Sequence, residues 1–273
     1  MKALLKDLLP PILLRALTSA RQPEPRAYES YEAAALDCQR NAYQAEEIVQ
    51  VVIEKNDRFR RRLQSQTSLD HGALRTLIAL GLSNVNGRLN VLDFGGGGGY
   101  HHAVAVKALG TAFPMRWNVV ETPAMVKAAK RLERPGLKFF DDLDAAATDL
   151  GDVDLVFASG SLQYCPHPVD FLRRLVNVGG RYLFITRTPF AESGEDIVSR
   201  QESMLSSNGP GPLPDRFEDL KISYPITYAS RSAVESILRE KYEIRFHIAE
   251  DEAGFQVAGQ PMAMSGYFCA RHY

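Results

Sequence analysis

Asp93, Gly95, Gly97 and Gly99 stand where an apolar run, Leu89-Asn90-Val91-Leu92-Asp93-Phe94, gives way to five consecutive glycines that lead to Tyr100. A helix-forming run, 103–109, follows. The pattern predicts a buried strand, a tight turn and the start of a helix. Glycines in such a turn permit positive φ and let a ligand approach the backbone without a Cβ in the way. The helix start adds unpaired N–H groups and partial positive charge. Such a turn suits the polar part of a nucleotide-like cofactor, and spacing separates the candidates. A P-loop requires Lys followed by Ser or Thr after its last glycine, where this chain has Tyr100 and His101. A dinucleotide fingerprint requires a Gly or Ala at the sixth position. Counted from Gly95, Gly96 or Gly97, that position holds Tyr100, His101 or His102. What fits is an acid followed by G-x-G-x-G.

A second apolar run ending in an acid, Trp117-Asn118-Val119-Val120-Glu121, follows 22 positions after Gly99 as counted to Glu121. Thr122-Pro123 then suits the N-cap and first position of a helix. An acid at the end of a second strand can accept both ribose hydroxyls of an adenosine. It can equally be an exposed strand-end acid or favour the first turn of the next helix electrostatically. A third short strand, Leu137-Lys138-Phe139-Phe140, runs into Asp141 and Asp142, and Asp142 suits the N-cap of a helix over 143–148. Asp154-Leu155-Val156-Phe157-Ala158 leads into Ser159-Gly160-Ser161-Leu162-Gln163-Tyr164, and Arg181-Tyr182-Leu183-Phe184-Ile185-Thr186 opens into Arg187-Thr188-Pro189. Strands joined by short helical crossovers predict a doubly wound sheet. Ligands of such sheets sit beyond the carboxyl ends of the strands, where all these residues lie.

The acid and its G-x-G-x-G turn resemble the first motif of class I S-adenosylmethionine (SAM)-dependent methyltransferases. The resemblance covers about residues 85–273 and implies a Rossmann-like, seven-stranded α/β sheet. Its last strand is antiparallel and inserted between the fifth and sixth. It also implies that SAM is the cofactor. The turn of Gly95, Gly97 and Gly99 then packs against the methionine portion, and Asp93 orders the loop and the amino group. Glu121 holds the ribose and Asp142 faces the adenine, the N-cap role remaining open beside it. Ser159 belongs to a segment like the family's fourth motif, which lines the cleft between cofactor and acceptor. A narrower likeness is to a bacterial group of methyltransferases associated with surface-polysaccharide clusters. It rests on the paired Pro10-Pro11, on 91–97 and 158–164, and on Arg187-Thr188-Pro189-Phe190. It implies a glycan-precursor acceptor.

An oxygen or nitrogen acceptor can require a general base. Tyr164 and His102 are the leading candidates, with His101, His167 and His247 behind them, and Arg187 could bind an anionic acceptor. No His/Asp/Glu cluster has metal-ligand spacing. Two other function classes compete. One is a non-catalytic methyltransferase-like scaffold, whose sign is a cleft blocked by Tyr100 or Tyr164. The other is a nicotinamide-dependent oxidoreductase or epimerase, against which the glycine spacing counts. The Asn/Asp-Pro-Pro-Tyr/Phe signature of amino-directed DNA enzymes is absent where Ser159-Gly160-Ser161-Leu162 stands.

The elements that must position these residues divide the chain into a helical N-terminal extension or cap, 1–88, and a methyltransferase-like domain, 89–273. At 273 residues and 45% hydrophobic content, one large domain with an appendage is reasonable. A net charge of −1 gives no basic surface for nucleic acid. Three scattered cysteines, Cys38, Cys165 and Cys269, suggest a reducing compartment such as the cytoplasm. No apolar stretch reaches the roughly 18 residues of a spanning helix. Residues 1–20 mix apolar positions with Lys2, Lys6 and Arg15. They suit a helix packed on the domain or on a second copy of the chain, or peripheral contact with a membrane. Further helices are predicted over 28–39, 42–62, 74–82 and 231–241, and strands over 242–248 and 265–271. The N-terminal helices are expected to cover the cofactor and shape the acceptor pocket. Segment 190–228, with Gly209-Pro210-Gly211-Pro212 inside it, is predicted to be an acceptor-specific insertion overhanging the cleft.

Overall fold

The structure is a computed structural model that describes residues 24–38, 45–83, 87–251 and 254–272. Residues 1–20, the candidate membrane or partner segment, lie outside the described residues. Among the described residues, three helices come first: α1 (Tyr31–Asp37), α2 (Glu46–Ser65) and α3 (Ala73–Ser83). Strands and helices then alternate through β1 (Leu89–Phe94), α4 (Tyr100–Leu109), β2 (Met115–Val120), α5 (Pro123–Ala129) and β3 (Leu137–Phe140). They continue as α6 (Leu143–Leu150), β4 (Leu155–Ser159), α7 (Pro168–Val178) and β5 (Tyr182–Ala191). A hairpin of β6 (Ile197–Met204) and β7 (Lys221–Ser230) precedes α8 (Arg231–Lys241), β8 (Tyr242–Ala249), β9 (Phe255–Val257) and β10 (Gln260–Arg271).

The main sheet runs β3-β2-β1-β4-β5-β10-β8. Its first five strands are parallel, and β10 lies antiparallel between β5 and β8. This is the doubly wound sheet that the sequence predicts, with the antiparallel last strand that the resemblance implies. Period-two alternation feeds both faces. In β4, Leu155 and Phe157 enter one core while Val156 and Ala158 enter the other. A parallel sheet covered by helices on both faces requires such near-continuous apolar strands. The core around Trp117 and Phe157 also contains Ile48, Val52 and Ile53 of α2, so one apolar interior runs across residue 88.

Local signals set the ends of several elements. The Thr122 hydroxyl caps α5 by accepting the Met125 N–H at 3.4 Å, with Pro123 beginning the helix. Segment 190–228 differs from a plain loop. Its flanks form the β6–β7 hairpin, registered from Ile197 opposite Tyr228 to Met204 opposite Lys221, and 205–220 connect them. Alternate residues Ile222, Tyr224, Ile226 and Tyr228 are buried, the pattern of a strand with one covered face. β7 joins the end of β5 in parallel at Phe190–Ala229 and Ala191–Ser230.

Candidate functional site

The turn between β1 and α4 is shaped from below. Asp93 is completely buried, and its carboxylate accepts the Trp117 Nε1–H at 2.9 Å and faces His101 Nδ1 at 3.0 Å. A Cβ on Gly96 would overlap that carboxylate, so the loop can approach its anchor only as glycine. Asp93 therefore orders the loop, but it does not wall the cleft above it. Gly95 and Gly97 have φ of +72° and +57° and do line that cleft. Gly99 sits at the N-cap of α4, where its α-carbon faces Leu137 rather than the cleft.

Glu121, at the carboxyl end of β2, closes the same turn from the side. Its Oε1 accepts the Gly97 N–H and its Oε2 accepts the Thr122 N–H, each at 3.0 Å. Burial raises its carboxyl above the ordinary carboxylate range, opposed by these two N–H bonds and reinforced by nearby Asp93. The residue lines a cleft of about 680 Å³. One wall comes from Val52 and Asn56 of α2, and residues 207–210 of the β6–β7 connection form its rim. The other end holds Ser159 and Gly160 at the end of β4, Tyr164 in the short 3-10 turn that follows, and Arg187 within β5. Tyr100 and Tyr164 line this space without filling it.

The leading base candidates separate here. Tyr164 lines the cleft, its hydroxyl 3.2 Å from Gln201 Oε1 and its ring edge-on to Tyr224. Burial, with Tyr224 beside it, raises the phenol's pKa. It is therefore protonated near neutral pH and suited to donating a hydrogen bond, not to taking a proton. His102 does not reach the cleft. Its Nδ1 accepts from Arg134 Nη2 at 3.0 Å and its ring stands edge-on to Trp117. Burial and the Arg134 charge push its pKa down to about 3. Adjacent helix positions point about 100° apart, so with His102 turned inward, it is His101 that lines the cleft. Asp93 engages His101 at Nδ1, which leaves Nε2 as the ring nitrogen that this carboxylate does not hold.

Other sequence candidates stand elsewhere. Asp142 is exposed and caps α6, its Oδ1 accepting the Ala145 N–H at 2.7 Å, and it does not line the cleft. His167 is the exposed residue before α7, and His247 faces Arg231 and Tyr267. No group of three or more metal-ligating side chains occurs among the described residues.

The structure adds residues that spacing did not reveal. Arg75 of α3 donates to Glu250 Oε2 through Nε at 2.8 Å and Nη2 at 2.6 Å. Glu250 Oε1 accepts from the Thr186 hydroxyl and from the Arg187 N–H. Burial pushes the Glu250 carboxyl up, but Thr186, the Arg187 N–H and Arg75 together hold it below the ordinary range. Arg75 and Glu250 are 175 positions apart, so no local pattern links them. Asn56 is similar: it packs against Gly98 of the turn, and its buried Oδ1 has no donor among the described residues.

No protein-family model matches the sequence, and neither does any curated protein sequence. Among solved structures, the chain is similar to a SAM-dependent methyltransferase from Clostridium acetobutylicum, at 11% identity over 76% of this chain and 94% of that one, with a TM-score of 0.44. It is also similar to magnesium protoporphyrin IX methyltransferase from Synechocystis with bound S-adenosylhomocysteine (SAH). That match has 12% identity over 82% and 98% of the two chains and a TM-score of 0.41. The [4+2]-cyclase SpnF is a third, at 13% identity over 73% and 81%, with a TM-score of 0.45. At these identities the likeness is one of fold.

Proposed function

We propose that the protein is a SAM-dependent methyltransferase acting on an oxygen or nitrogen of a small molecule or glycan precursor. One observation carries this reading. The left-handed Gly97, hydrogen-bonded through its N–H to Glu121, lines a cleft that continues to Ser159 and Tyr164. The site fits such a cofactor mainly through acceptors, since the Gly95 and Gly97 N–H groups already donate to the Val120 carbonyl and to Glu121. Gly95 and Gly97 leave open backbone, Glu121 offers carboxylate lone pairs to a ribose, and Asn56 Oδ1 awaits a donor. Bound SAM supplies a methyl group already activated on a sulfonium, which leaves alignment of the acceptor as the protein's main task. Tyr164 and Ser159 would orient the acceptor. His101, held at Nδ1 by Asp93, would accept the acceptor's proton at Nε2.

The test is calorimetric titration with SAM, SAH and NAD as control. Both adenosyl ligands are expected to bind and NAD is not. Replacing Glu121 with Ala removes charge-assisted bonds to the ribose and is expected to weaken SAH by at least about tenfold. Absence of adenosyl binding at millimolar ligand, or binding of NAD instead, overturns the reading.

A further inference from the structure

The cleft continues past Tyr164 into a second hollow of about 400 Å³. The two share Arg75, Gly160, Tyr164, Arg187 and Gln201. The apolar wall of the second is made by Pro189 of β5, Ile226 and Tyr228 of β7, Phe255 of β9 and Met264 of β10, and Gln163 and Glu250 line it as well. Three of the five wall residues come from the hairpin and from β9, which lie off the main path of the sheet.

Arg187 sits at the junction, and its placement is built into the sheet. β4 ends where Ser159 pairs with Thr186, and β7 joins β5 only from Phe190. Between them β10 shifts register opposite β5, between Ser265 and Tyr267. The shift is a β-bulge, a device that re-aims a side chain. Arg187 takes φ +55° there, a strained value for a residue other than glycine, and Glu250 Oε1 holds its N–H at 2.7 Å. Gly160, itself at φ +66°, leaves room beside the guanidinium, whose carbon would lie 3.5 Å from a Cβ at that position.

The charges around the junction are uneven. Glu250 neutralises Arg75, and its remaining oxygen is taken by Thr186 and the Arg187 backbone. The Arg187 guanidinium forms no ion pair with a carboxylate among the described residues. A planar donor fork thus stands beside the apolar wall of the second hollow. That pairing recognises an oxyanion carried on an apolar body.

Building on the methyltransferase reading, we propose that the second hollow is the acceptor subsite and that Arg187 binds an oxyanion, carboxylate or phosphate, of a small acceptor with a flat apolar body. The apolar walls take the body, and the shared wall at Tyr164 and Gly160 presents the acceptor to the cofactor end of the cleft.

The experiment titrates the full chain, with and without SAH, with benzoate, phenyl phosphate and neutral benzamide. The same titrations are made with Arg187→Gly and Arg187→Lys. Glycine is the residue that φ +55° favours, so Arg187→Gly is expected to melt at or above the wild-type temperature. The wild type is expected to bind an anionic probe at least about tenfold more tightly than benzamide. That preference should vanish in Arg187→Gly and persist in part in Arg187→Lys. Preference for benzoate assigns a carboxylate, preference for phenyl phosphate assigns a phosphate, and equal binding assigns oxyanions generally. Equal binding of benzamide, survival of the preference in a folded Arg187→Gly, or failure of every probe to bind overturns the proposal. Anion preference in a wild type that binds no SAH supports the oxyanion site and overturns the methyltransferase reading, which separates the two claims.

Discussion

Asp93 shows how one buried side chain can set a site without touching a ligand. Its carboxylate meets an indole N–H, an imidazole and the underside of a glycine turn in a space closed to water. A buried carboxylate must be hydrogen-bonded to be tolerated. Trp117→Phe removes one donor and is expected to lower stability by about 1.5–3 kcal/mol, read from urea unfolding. His102, one position beyond His101, makes a different prediction. Its pKa is about 3 in the folded chain, against an ordinary value of 6.5. The folded state therefore binds fewer protons than the unfolded one between these values. The stability this neutral histidine contributes is complete above pH 6.5 and is lost as pH falls towards 3. The slope is about 1.4 kcal/mol per pH unit within that window. In His102→Gln the acid-side decline in unfolding free energy should be shallower by one proton.

Among the elements, α2 and the β6–β7 connection act together. Lys55 of α2 is almost wholly buried and its Nζ donates to the Ser206 carbonyl at 2.7 Å. Burial lowers its pKa, with Asp219 opposing that shift. Asp219 also accepts the Ser206 N–H at 2.9 Å and its hydroxyl at 2.8 Å, while Arg216 reaches back to Glu54 of α2. These bonds hold residues 207–210 at the rim of the cleft. Lys55→Met strips the Ser206 carbonyl of its charged donor while keeping most of the side-chain volume. Hydrogen exchange should show the local opening energy of 205–220 falling by about 2 kcal/mol, with smaller change in the main sheet. Equal loss of protection throughout the chain would show that Lys55 serves the whole fold rather than this strap.

The molecule as a whole encloses the cleft from three sides: the carboxyl ends of the parallel strands, α2 and α3, and the hairpin. A ligand that touches all three couples them. At a free SAH concentration of 100 times its dissociation constant, the folded state should gain about 2.7 kcal/mol. Thermal unfolding with increasing SAH measures this gain. Exchange protection should rise in α2 and around 207–210 as well as in the glycine turn. No helix among the described residues is long and apolar enough to cross a membrane.

The sequence by itself determined the order of strands and crossover helices, because burial of a parallel sheet writes continuous apolar runs into the chain. It also located the glycine turn, Glu121 and Ser159, because doubly wound sheets gather such residues at one edge, while the strand expected to stop at Thr186 continues as β5 to Ala191. The strands of the hairpin were not read from the sequence, because Gly209-Pro210-Gly211-Pro212 marks a loop, although Ile222, Tyr224, Ile226 and Tyr228 alternate as one buried face does. Tertiary structure decided the rest. Which of two adjacent histidines faces the cleft depends on the rotation of α4 against Trp117 and Arg134. Asp142 supports several local roles in sequence, and only its position in space makes it an exposed cap outside the cleft. The pairing of Arg75 with Glu250, and the bulge that aims Arg187, join segments far apart in the chain. Local periodicity reports which face of an element is buried, but long-range packing decides which charges meet there.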